Sequence, residues 1–448
     1  MDIPTTPAGR QFAAWFSAFN SADYSEIDKL HVPFEKVPFE TSGILMFRYQ
    51  TGGFDLIKIE ESNNTKLVGL LKERESDQFA RFVMEVEEVP PHLVATFGLH
   101  GIPRPAEHAI ARMAQSDLVV ALGTKLEADA AADKFAGAVM VAKDGIPIFS
   151  CAYGLADREK KIANKLGTRF RNGSMNKMFT ATATLRLVQD GAVSLSDPVG
   201  KFIPDYPNKD VAKVTIEQLL THTGGTGDIF GPEFAAHRLE LRTHSDYVAL
   251  FGARAPLFEP GSQFRYSNYG FELLGAIIEG ASGQDYYAHV HDRVFVPAGM
   301  TSTGSLPEEV IAKEISVGYI RGGKSELQPN TETLPYRGMA AGGGYTTVED
   351  LLHFANALMS HKLLGARHLQ LMTTGKVAMG AEKYAFGFGD IDAALPWRHF
   401  GHSGGAPGMN GDLRIYPELG YVVAALANID PPAATRISSF IGNRLPSN

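Results

Sequence analysis

The segment from residue 174 to residue 191 constrains the fold most, because it sets two reactive side chains at the start of a long helix. Ser174 and Lys177 form the only Ser-x-x-Lys sequence of the chain. Helix-forming residues follow as far as Gly191, where the pattern predicts the helix end. Residues three apart lie on one helix face. We therefore predict that Ser174 lies in the first turn, where unpaired backbone N–H groups favour a developing negative charge.

A lysine placed one turn after a serine can act as its base. The serine hydroxyl needs a base because it is a weak nucleophile at its ordinary pKa. Lys177 can accept the proton only where burial or a second positive charge lowers its pKa. The alternative interpretation is an ordinary helix start, with Ser174 as the N-cap and Lys177 on the surface. The motif alone leaves both interpretations open.

Two later segments carry polar groups suited to the same chemistry. Tyr-Ser-Asn at residues 266–268 lies in a loop that leads into the apolar stretch 271–278, and a tyrosine there can relay protons. His-Ser-Gly-Gly at residues 402–405 precedes the strand-like alternation of residues 412–417. Glycines at that place let a backbone approach a substrate closely and offer an N–H group to an oxyanion.

In this order, the three segments resemble the β-lactamase and penicillin-binding-protein superfamily, specifically its class C-like branch. That branch includes D,D-peptidases, D-aminopeptidases and many serine esterases. Further family landmarks lie at residues 170–180, 193–199, 219–225 and 342–350. Agreement in order over roughly 240 residues argues against coincidence.

The resemblance implies a role for each matched residue. Ser174 would be the acylated nucleophile and Lys177 its general base or proton shuttle. Tyr266 would share the base role and deliver the proton to the leaving group. The backbone N–H groups of Ser174 and Gly405 would form the oxyanion hole, where each donor typically contributes ~3 kcal/mol of transition-state stabilisation.

The resemblance also implies a set of substrate contacts. Asn268 would touch the acyl amide of the substrate or hold Lys177 in place, with a turn-stabilising side chain as the alternative. Ser403 and Gly404 would contact the substrate together with His402. The β-lactamases and transpeptidases mostly carry lysine where this chain has His402, and histidine is mostly neutral at pH 7 because its ordinary pKa is ~6.5. We therefore expect a weaker anchor for a substrate carboxylate, with the acyl-transfer chemistry unchanged.

For residues 106–448 the resemblance implies an α/β (α+β) fold, in which an antiparallel sheet is flanked by helices. A mostly helical lobe, about residues 180–340, would lie beside the sheet, with the site in the cleft between them. Local patterns agree with this layout. They are the helix face of Leu118, Leu122 and Leu126, the hairpin of residues 138–149 with its Asp144-Gly145 turn, the strands at 410–428 and an amphipathic final helix.

Residues 1–105 do not belong to this pattern and predict a separate small α+β domain. Apolar residues recur at helical spacing over residues 10–19, and four strand-like runs follow. These runs are residues 54–59, 66–71, 79–86 and 93–99. A helix against a curled antiparallel sheet is similar to nuclear-transport-factor-2-like or cystatin-like modules, and the Pro-containing residues 102–105 are the predicted linker. We expect a structural or homo-oligomerising role for this domain, with substrate binding as the alternative.

The composition excludes several other functions. A net charge of −8 without a basic run argues against nucleic acid and anionic membrane surfaces. The single cysteine, Cys151, excludes an internal disulfide, and no cluster has metal-ligand spacing, so we expect neither a metal nor another cofactor. We interpret His222 as a helix-end or core histidine. The chain has no run of ~18 apolar residues and predicts a cytoplasmic protein as given, or a periplasmic or secreted one if a signal sequence was removed.

These observations predict a serine hydrolase that cleaves a small-molecule ester, amide or peptide through an acyl-enzyme at Ser174. A carboxylesterase is the leading interpretation, because of His402 and of aromatic residues expected around the cleft. These aromatic residues are Phe264, Tyr266, Tyr269 and Trp397. A D-amino-acid peptidase or D,D-carboxypeptidase is the second interpretation and a β-lactamase the third. The non-enzymatic alternative is a covalent penicillin or peptide sensor, which is acylated without turnover.

Overall fold

The chain forms two compact units in the computed structural model, which describes residues 2–311, 314–321, 326–380, 382–391 and 397–446. The first unit is Met1–Arg112 with Arg321–Gln328, and the second is Met113–Ile320 with Pro329–Asn448. No local pattern predicted that the described residues of this segment, 321 and 326–328, belong to the first unit. Among the described residues, no helix combines the length and the apolar character that crossing a bilayer requires.

The first unit packs helices on a four-stranded antiparallel sheet whose strands follow chain order. Its elements are α1 (Pro7–Ser21), α2 (Tyr24–Asp28), α3 (Thr41–Thr51), β1 (Phe54–Ser62), β2 (Lys66–Glu73), β3 (Phe79–Val86) and β4 (Val94–Ile102). Phe12 and Phe19 of α1 are buried against Phe54 and Phe82 of the sheet. The predicted helix and four strands are confirmed. The likeness to a nuclear-transport-factor-2-like or cystatin-like module stays a prediction.

Helices α2 and α3 were not predicted, and the sequence of α3 explains why. Its apolar residues form one continuous run, residues 44–47, which lacks the three- and four-residue spacing of an amphipathic helix. Helix α3 ends at Gly52, which adopts a left-handed φ of 70°.

The rest of the chain alternates between short strands and helices. The strands are β5 (Gly137–Lys143), β6 (Ile146–Tyr153), β7 (Leu155–Asp157), β8 (Ile162–Ala163), β9 (Phe170–Arg171), β10 (Tyr319–Ile320), β11 (Gln328–Pro329), β12 (Tyr345–Thr346), β13 (Val377–Met379), β14 (Glu382–Tyr384), β15 (Gly389–Ile391), β16 (His399–Ala406), β17 (Met409–Tyr416) and β18 (Tyr421–Ala427). The helices are α4 (Gln115–Ala131), α5 (Asn176–Gln189), α6 (Val199–Phe202), α7 (Ile216–Leu220), α8 (Pro232–His237), α9 (His244–Phe251), α10 (Asn268–Ser282), α11 (Tyr286–Val290), α12 (Val296–Ala298), α13 (Glu308–Ile311), α14 (Val348–Met359), α15 (Ala366–Thr373) and α16 (Ala433–Gly442).

An eight-stranded antiparallel sheet organises the second unit, in the order β13-β14-β15-β16-β17-β18-β5-β6. The predicted hairpin of β5 and β6 turns at Asp144 and Gly145, which adopt φ values of 51° and 79°. Alternate residues of β5 belong to one core with α5 and α14, because neighbouring side chains of a strand point to opposite faces. Helices α4 and α16 pack against each other and against the sheet. The antiparallel sheet with flanking helices confirms the expected fold class.

Helix α4 offers a direct test of this packing. Leu122 is 1% exposed, whereas Val120 on the same helix is 69% exposed. We expect Leu122→Ala to lower the free energy of unfolding by about 2–5 kcal/mol, because it opens a cavity in the core. Urea denaturation of the second unit's transition measures the change, and Val120→Ala is the matched control. Equal midpoints for the two variants would contradict the packing of α4.

Candidate active site

Ser174 lies in a short 3₁₀ turn, Gly173–Met175, directly before α5. The turn therefore precedes the α-helix, whereas the sequence placed Ser174 in its first turn. Gly173 adopts the left-handed φ of +50°, and a Cβ atom here would lie 2.9 Å from the backbone nitrogen of Gly405. Glycine thus allows the turn to carry Ser174 close to strand β16.

Gly404 of strand β16 also lies in close contact with the backbone that precedes Ser174. A Cβ atom on Gly404 would lie 1.9 Å from the carbonyl oxygen of Asn172, so a larger residue would displace the turn. The sequence predicted that these glycines admit a substrate. At Gly404 the missing side chain admits the backbone before Ser174, and a contact of Gly404 with substrate stays a prediction.

Lys177 extends from α5 into a buried position with three hydrogen-bond acceptors. Its Nζ atom donates to Ser174 Oγ at 3.2 Å, to Asn268 Oδ1 at 2.7 Å and to the Ala341 carbonyl at 2.6 Å. The side chain is fully buried, and α5 is buried on nearly every face. The alternative of an N-cap serine with a surface lysine was therefore wrong.

Burial changes the protonation of Lys177. Loss of hydration lowers the pKa of its amino group to about 7, although the charges of Glu272 and Asp228 act in the opposite direction. At pH 7 a large fraction of the protein molecules then carries Lys177 as the neutral amine. In that form Nζ can still donate to Asn268 and Ala341 and can use its lone pair to accept the Ser174 proton.

Asn268 holds this amine through a contact that the sequence did not reveal. It begins α10, and its Nδ2 donates to both carboxylate oxygens of Asp228, at 2.9 and 3.2 Å. This contact orients the amide, so that Oδ1 faces Lys177. The geometry favours the interpretation that Asn268 holds Lys177. Asp228 lies three residues after the 219–225 landmark, and no local spacing connected it with Lys177.

Glu272 lies one turn further along α10 and contacts the same residue as Lys177, Ala341. Its Oε1 accepts a hydrogen bond from the Ala341 N–H at 3.0 Å, while the Ala341 carbonyl accepts from Lys177. The residue is 1% exposed, and burial raises the pKa of its carboxyl group. Sequence reasoning missed Glu272, because its place within an apolar helix face carries no distinctive pattern.

Tyr266 lies over the amino group of Lys177, with Nζ 4.7 Å from the ring centroid. Its hydroxyl is buried and makes no hydrogen bond within the part of the chain that the structure describes. Burial raises the pKa of Tyr266 above its usual range, and the nearby Ser174 hydroxyl offsets this only in part, without hydrogen-bond geometry. Tyr266 is therefore a neutral phenol at pH 7. Such a group is suited to donating and relaying a proton, whereas Lys177 is suited to accepting one.

His402 is uncharged at pH 7 and is hydrogen-bonded within the protein, so it does not present a cation to a substrate. Its Nδ1 contacts the Ser403 carbonyl, which can only accept, so Nδ1 carries the proton. Its Nε2 then accepts a hydrogen bond from the Tyr384 hydroxyl at 3.0 Å. Burial, reinforced by the Lys177 charge, lowers the pKa of His402 to about 4. Both ring nitrogens are thus used within the protein, and contact with substrate through His402 or the exposed Ser403 stays a prediction.

His222 lies two residues beyond α7 with a left-handed φ of 57°, which agrees with the interpretation as a helix-end histidine. It is 2% exposed, and its Nδ1 accepts a hydrogen bond from the Ser267 N–H at 3.1 Å. Its ring packs 4.3 Å from that of Tyr266 and 4.6 Å from that of Tyr384. His222 therefore supports the tyrosine that faces the nucleophile.

A cavity of about 610 Å³ opens beside Ser174, and its wall also includes Asn268 and Gly405. Most of the wall is apolar and comes from the helical region and from the loop of residues 332–343. The aromatic residues of the wall are Phe230, Phe234 and Tyr247. The four aromatic residues expected around the cleft lie elsewhere, and Tyr266 contacts Lys177 without lining this cavity. Tyr269 is 1% exposed and is hydrogen-bonded to Tyr206 at 2.7 Å in the core, and neither Phe264 nor Trp397 lines this cavity.

The described residues do not meet the requirements of a metal site with three or more ligating side chains. Within them, no group of three or more His, Cys, Asp or Glu side chains is arranged to hold a metal ion.

Comparison with known proteins identifies the family of this chain. The family model described as beta-lactamase matches residues 124–443. The chain therefore belongs to the β-lactamase family.

Three relatives illustrate the range of this family. Penicillin-binding protein 4* of Bacillus subtilis (strain 168) is 28% identical over 293 residues, which is 62% of this chain and 64% of that protein, so the chain spans less than two thirds of it. A penicillin-binding protein from Bacillus halodurans has 31% identity and a TM-score of 0.64, covering 71% of this chain and 98% of that one. A D-stereospecific amidohydrolase from Streptomyces sp. has 29% identity and a TM-score of 0.60, covering 71% and 97%.

The protonation of Lys177 predicts the pH dependence of turnover. The amine must be neutral to accept a proton, so we expect kcat/KM to rise with pH and to reach half its maximum near pH 7. Burial lowers the pKa of His402 to about 4 and that of His222 well below its usual value, so neither histidine accounts for a step near pH 7. Ester hydrolysis followed at the isosbestic wavelength of p-nitrophenol measures the profile. A flat profile from pH 5 to 9 would exclude Lys177 as the base.

The contact between Asp228 and Asn268 predicts different effects for two substitutions of Asp228. Asp228→Asn keeps an acceptor for Asn268 but removes a charge that raises the pKa of Lys177, so the rise of kcat/KM should move to lower pH. Asp228→Ala also removes the acceptor, and we expect kcat to fall roughly 10- to 100-fold as Asn268 and Lys177 lose their alignment. Asp210→Asn is the control, since Asp210 forms an exposed ion pair with Lys213. If Asp228→Ala keeps full kcat, the residue has no positioning role.

Proposed function

We propose that this protein is a carboxylesterase, which cleaves a small ester with an apolar acyl group through an acyl-enzyme at Ser174. The observation that carries the proposal is the mainly apolar cavity beside Ser174. Its wall includes Phe230, Phe234 and Met339, with a volume of about 610 Å³. Sites of this size and character suit small molecules with an apolar body.

The state of His402 supports an ester over a penicillin. In the β-lactamases and transpeptidases that the sequence resembles, a fixed cation meets the substrate carboxylate at this place. Here the ring is neutral at pH 7 and is bonded to Tyr384 and Ser403. A neutral and internally bonded ring offers a carboxylate little attraction.

The proposed acylation begins with attack of Ser174 Oγ on the ester carbonyl carbon. As the new C–O bond forms, the hydroxyl proton passes to the neutral amine of Lys177, 3.2 Å away. The carbonyl π electrons move onto oxygen, where the N–H groups of Ser174 and Gly405 would stabilise the negative charge. When the intermediate collapses, the C–O bond to the alcohol breaks and Tyr266 delivers a proton to the alkoxide. Lys177 returns its proton to Tyr266.

Deacylation repeats these steps with water as the nucleophile. Water gives one proton to the Lys177 amine while its oxygen attacks the acyl carbon. The bond to Ser174 Oγ breaks, and the proton returns to the serine. The carboxylic acid leaves, and the site regains its initial protonation.

A D-amino-acid amide is the second candidate substrate. The 29% identity to a D-stereospecific amidohydrolase over 97% of that chain favours it. The likeness to penicillin-binding proteins keeps a β-lactamase and a covalent sensor among the outcomes of the test.

Parallel assays of an ester and a β-lactam test the proposal. We expect sustained turnover of p-nitrophenyl butyrate, no hydrolysis of a chromogenic cephalosporin and a loss of ester turnover of at least about 1,000-fold in Ser174→Ala. The exposed Ser196 provides a matched control, Ser196→Ala, which should keep the parent rate.

Each other outcome points to a different activity. Preference for a D-amino-acid p-nitroanilide would favour the amidase, and preference for the cephalosporin the β-lactamase. One product per enzyme with stable labelling, detected by mass spectrometry, would favour the sensor. Full ester turnover by Ser174→Ala would overturn the assignment of the nucleophile.

A further inference from the structure

Although His402 is neutral at pH 7, positively charged side chains contribute to the wall of the cavity beside Ser174. Two arginines, Arg238 and Arg337, contribute to its wall. Arg238 is already occupied, because its Nε and Nη2 atoms both donate to the Glu332 carbonyl. Arg337 is the guanidinium with capacity to bind another group.

The position of Arg337 is set by two contacts on one side of its guanidinium. Its Nε donates to the Ser305 carbonyl at 2.8 Å, and its Cζ lies 3.3 Å from the centre of the Tyr287 ring. Tyr287 is itself held, since its hydroxyl contacts the sulfur of Met339 at 2.8 Å. The guanidinium is thus stacked and oriented before any ligand arrives, which reduces the entropy lost on binding.

The two terminal nitrogens of Arg337 remain available. Within the described part of the chain, neither donates a hydrogen bond, and Arg337 forms no ion pair with a carboxylate. Two carboxylates contribute to the same wall. Glu272 is buried and bonded to the Ala341 N–H, and Glu332 contacts Arg238 through its backbone carbonyl. A planar guanidinium with two free terminal nitrogens matches the geometry of a carboxylate, which can accept two parallel hydrogen bonds.

We propose that Arg337 binds a carboxylate of the substrate, so that the preferred esters carry this group at the far end of an apolar acyl chain. This inference rests on the proposed function, since the ester carbonyl must lie at Ser174. The apolar wall would contact the methylene groups, and Arg337 would neutralise the terminal charge. The substrates are therefore monoesters of aliphatic dicarboxylic acids.

A pair of esters with equal chain length tests this preference. Mono-p-nitrophenyl adipate and p-nitrophenyl hexanoate share a six-carbon acyl chain and differ in the terminal carboxylate. We expect the adipate-to-hexanoate ratio of kcat/KM to fall about 10-fold or more in Arg337→Gln. Arg337→Lys should retain part of the ratio, because lysine keeps the charge but lacks the planar fork.

Arg242 is the matched control for this measurement. It stacks on Tyr336 at 4.6 Å and donates from Nε to the Leu239 carbonyl, but it does not contribute to the cavity wall. Arg242→Gln should leave the ratio unchanged. The same ratio in Arg337→Gln and the parent protein would overturn the proposal, whatever the absolute rates.

A binding experiment separates this inference from the proposed function. Ser174→Ala cannot form an acyl-enzyme, so calorimetry can compare adipic acid monoamide with hexanamide without turnover. We expect tighter binding of the monoamide, and loss of that preference in Ser174→Ala/Arg337→Gln. If neither ester is hydrolysed, the esterase proposal fails, and this comparison still decides whether Arg337 recognises a carboxylate. Equal binding of the two amides would overturn the role of Arg337.

Discussion

Burial of the Lys177 amino group is the constraint on which the rest of the site depends. An ammonium group loses its hydration there, and the three acceptors Ser174, Asn268 and Ala341 replace the water. The same burial lowers the pKa to about 7, so the group that would be a permanent cation on the surface becomes a base. Burial also raises the pKa of Tyr266, which keeps that neighbour a neutral phenol. One physical effect thus separates a proton acceptor from a proton donor beside the same serine.

The second requirement is close contact between two backbones. The turn that carries Ser174 and strand β16 approach so closely that Gly173 and Gly404 leave no room for a Cβ atom. This approach places residues 174 and 405 in one cavity wall, where we propose that their backbone N–H groups stabilise an oxyanion. The cavity is mainly apolar, and its wall includes charged residues, of which Arg337 is stacked on the Tyr287 ring. We therefore propose that the site combines a fixed reaction centre with a wall that selects the acyl group.

Much of the fold could be predicted because it rests on short-range spacing. The period of apolar residues predicted α1 and the four strands of the first unit, and Asp144-Gly145 predicted the hairpin turn. Prediction failed where no period exists, as in α3, whose apolar residues are continuous. It also failed for Tyr269, because an aromatic residue near a motif can point into the core as readily as into a cleft. The matched family and its solved relatives confirm the fold class and the superfamily, and the roles of the individual residues remain our proposals.

The sequence by itself determined which chemical groups are present and which of them share a helix turn. Ser174 and Lys177 are three residues apart, a spacing that predicts side chains on the same face of a helical turn. Only the tertiary structure decided that Lys177 is buried and oriented by Asn268 and Asp228, and that His402 is bonded to Tyr384. The partners Asn268 and Ala341 lie 91 and 164 residues along the chain from Lys177. Hydration, pKa and the direction of a side chain depend on such distant segments, because they are properties of the packed surroundings and not of local spacing.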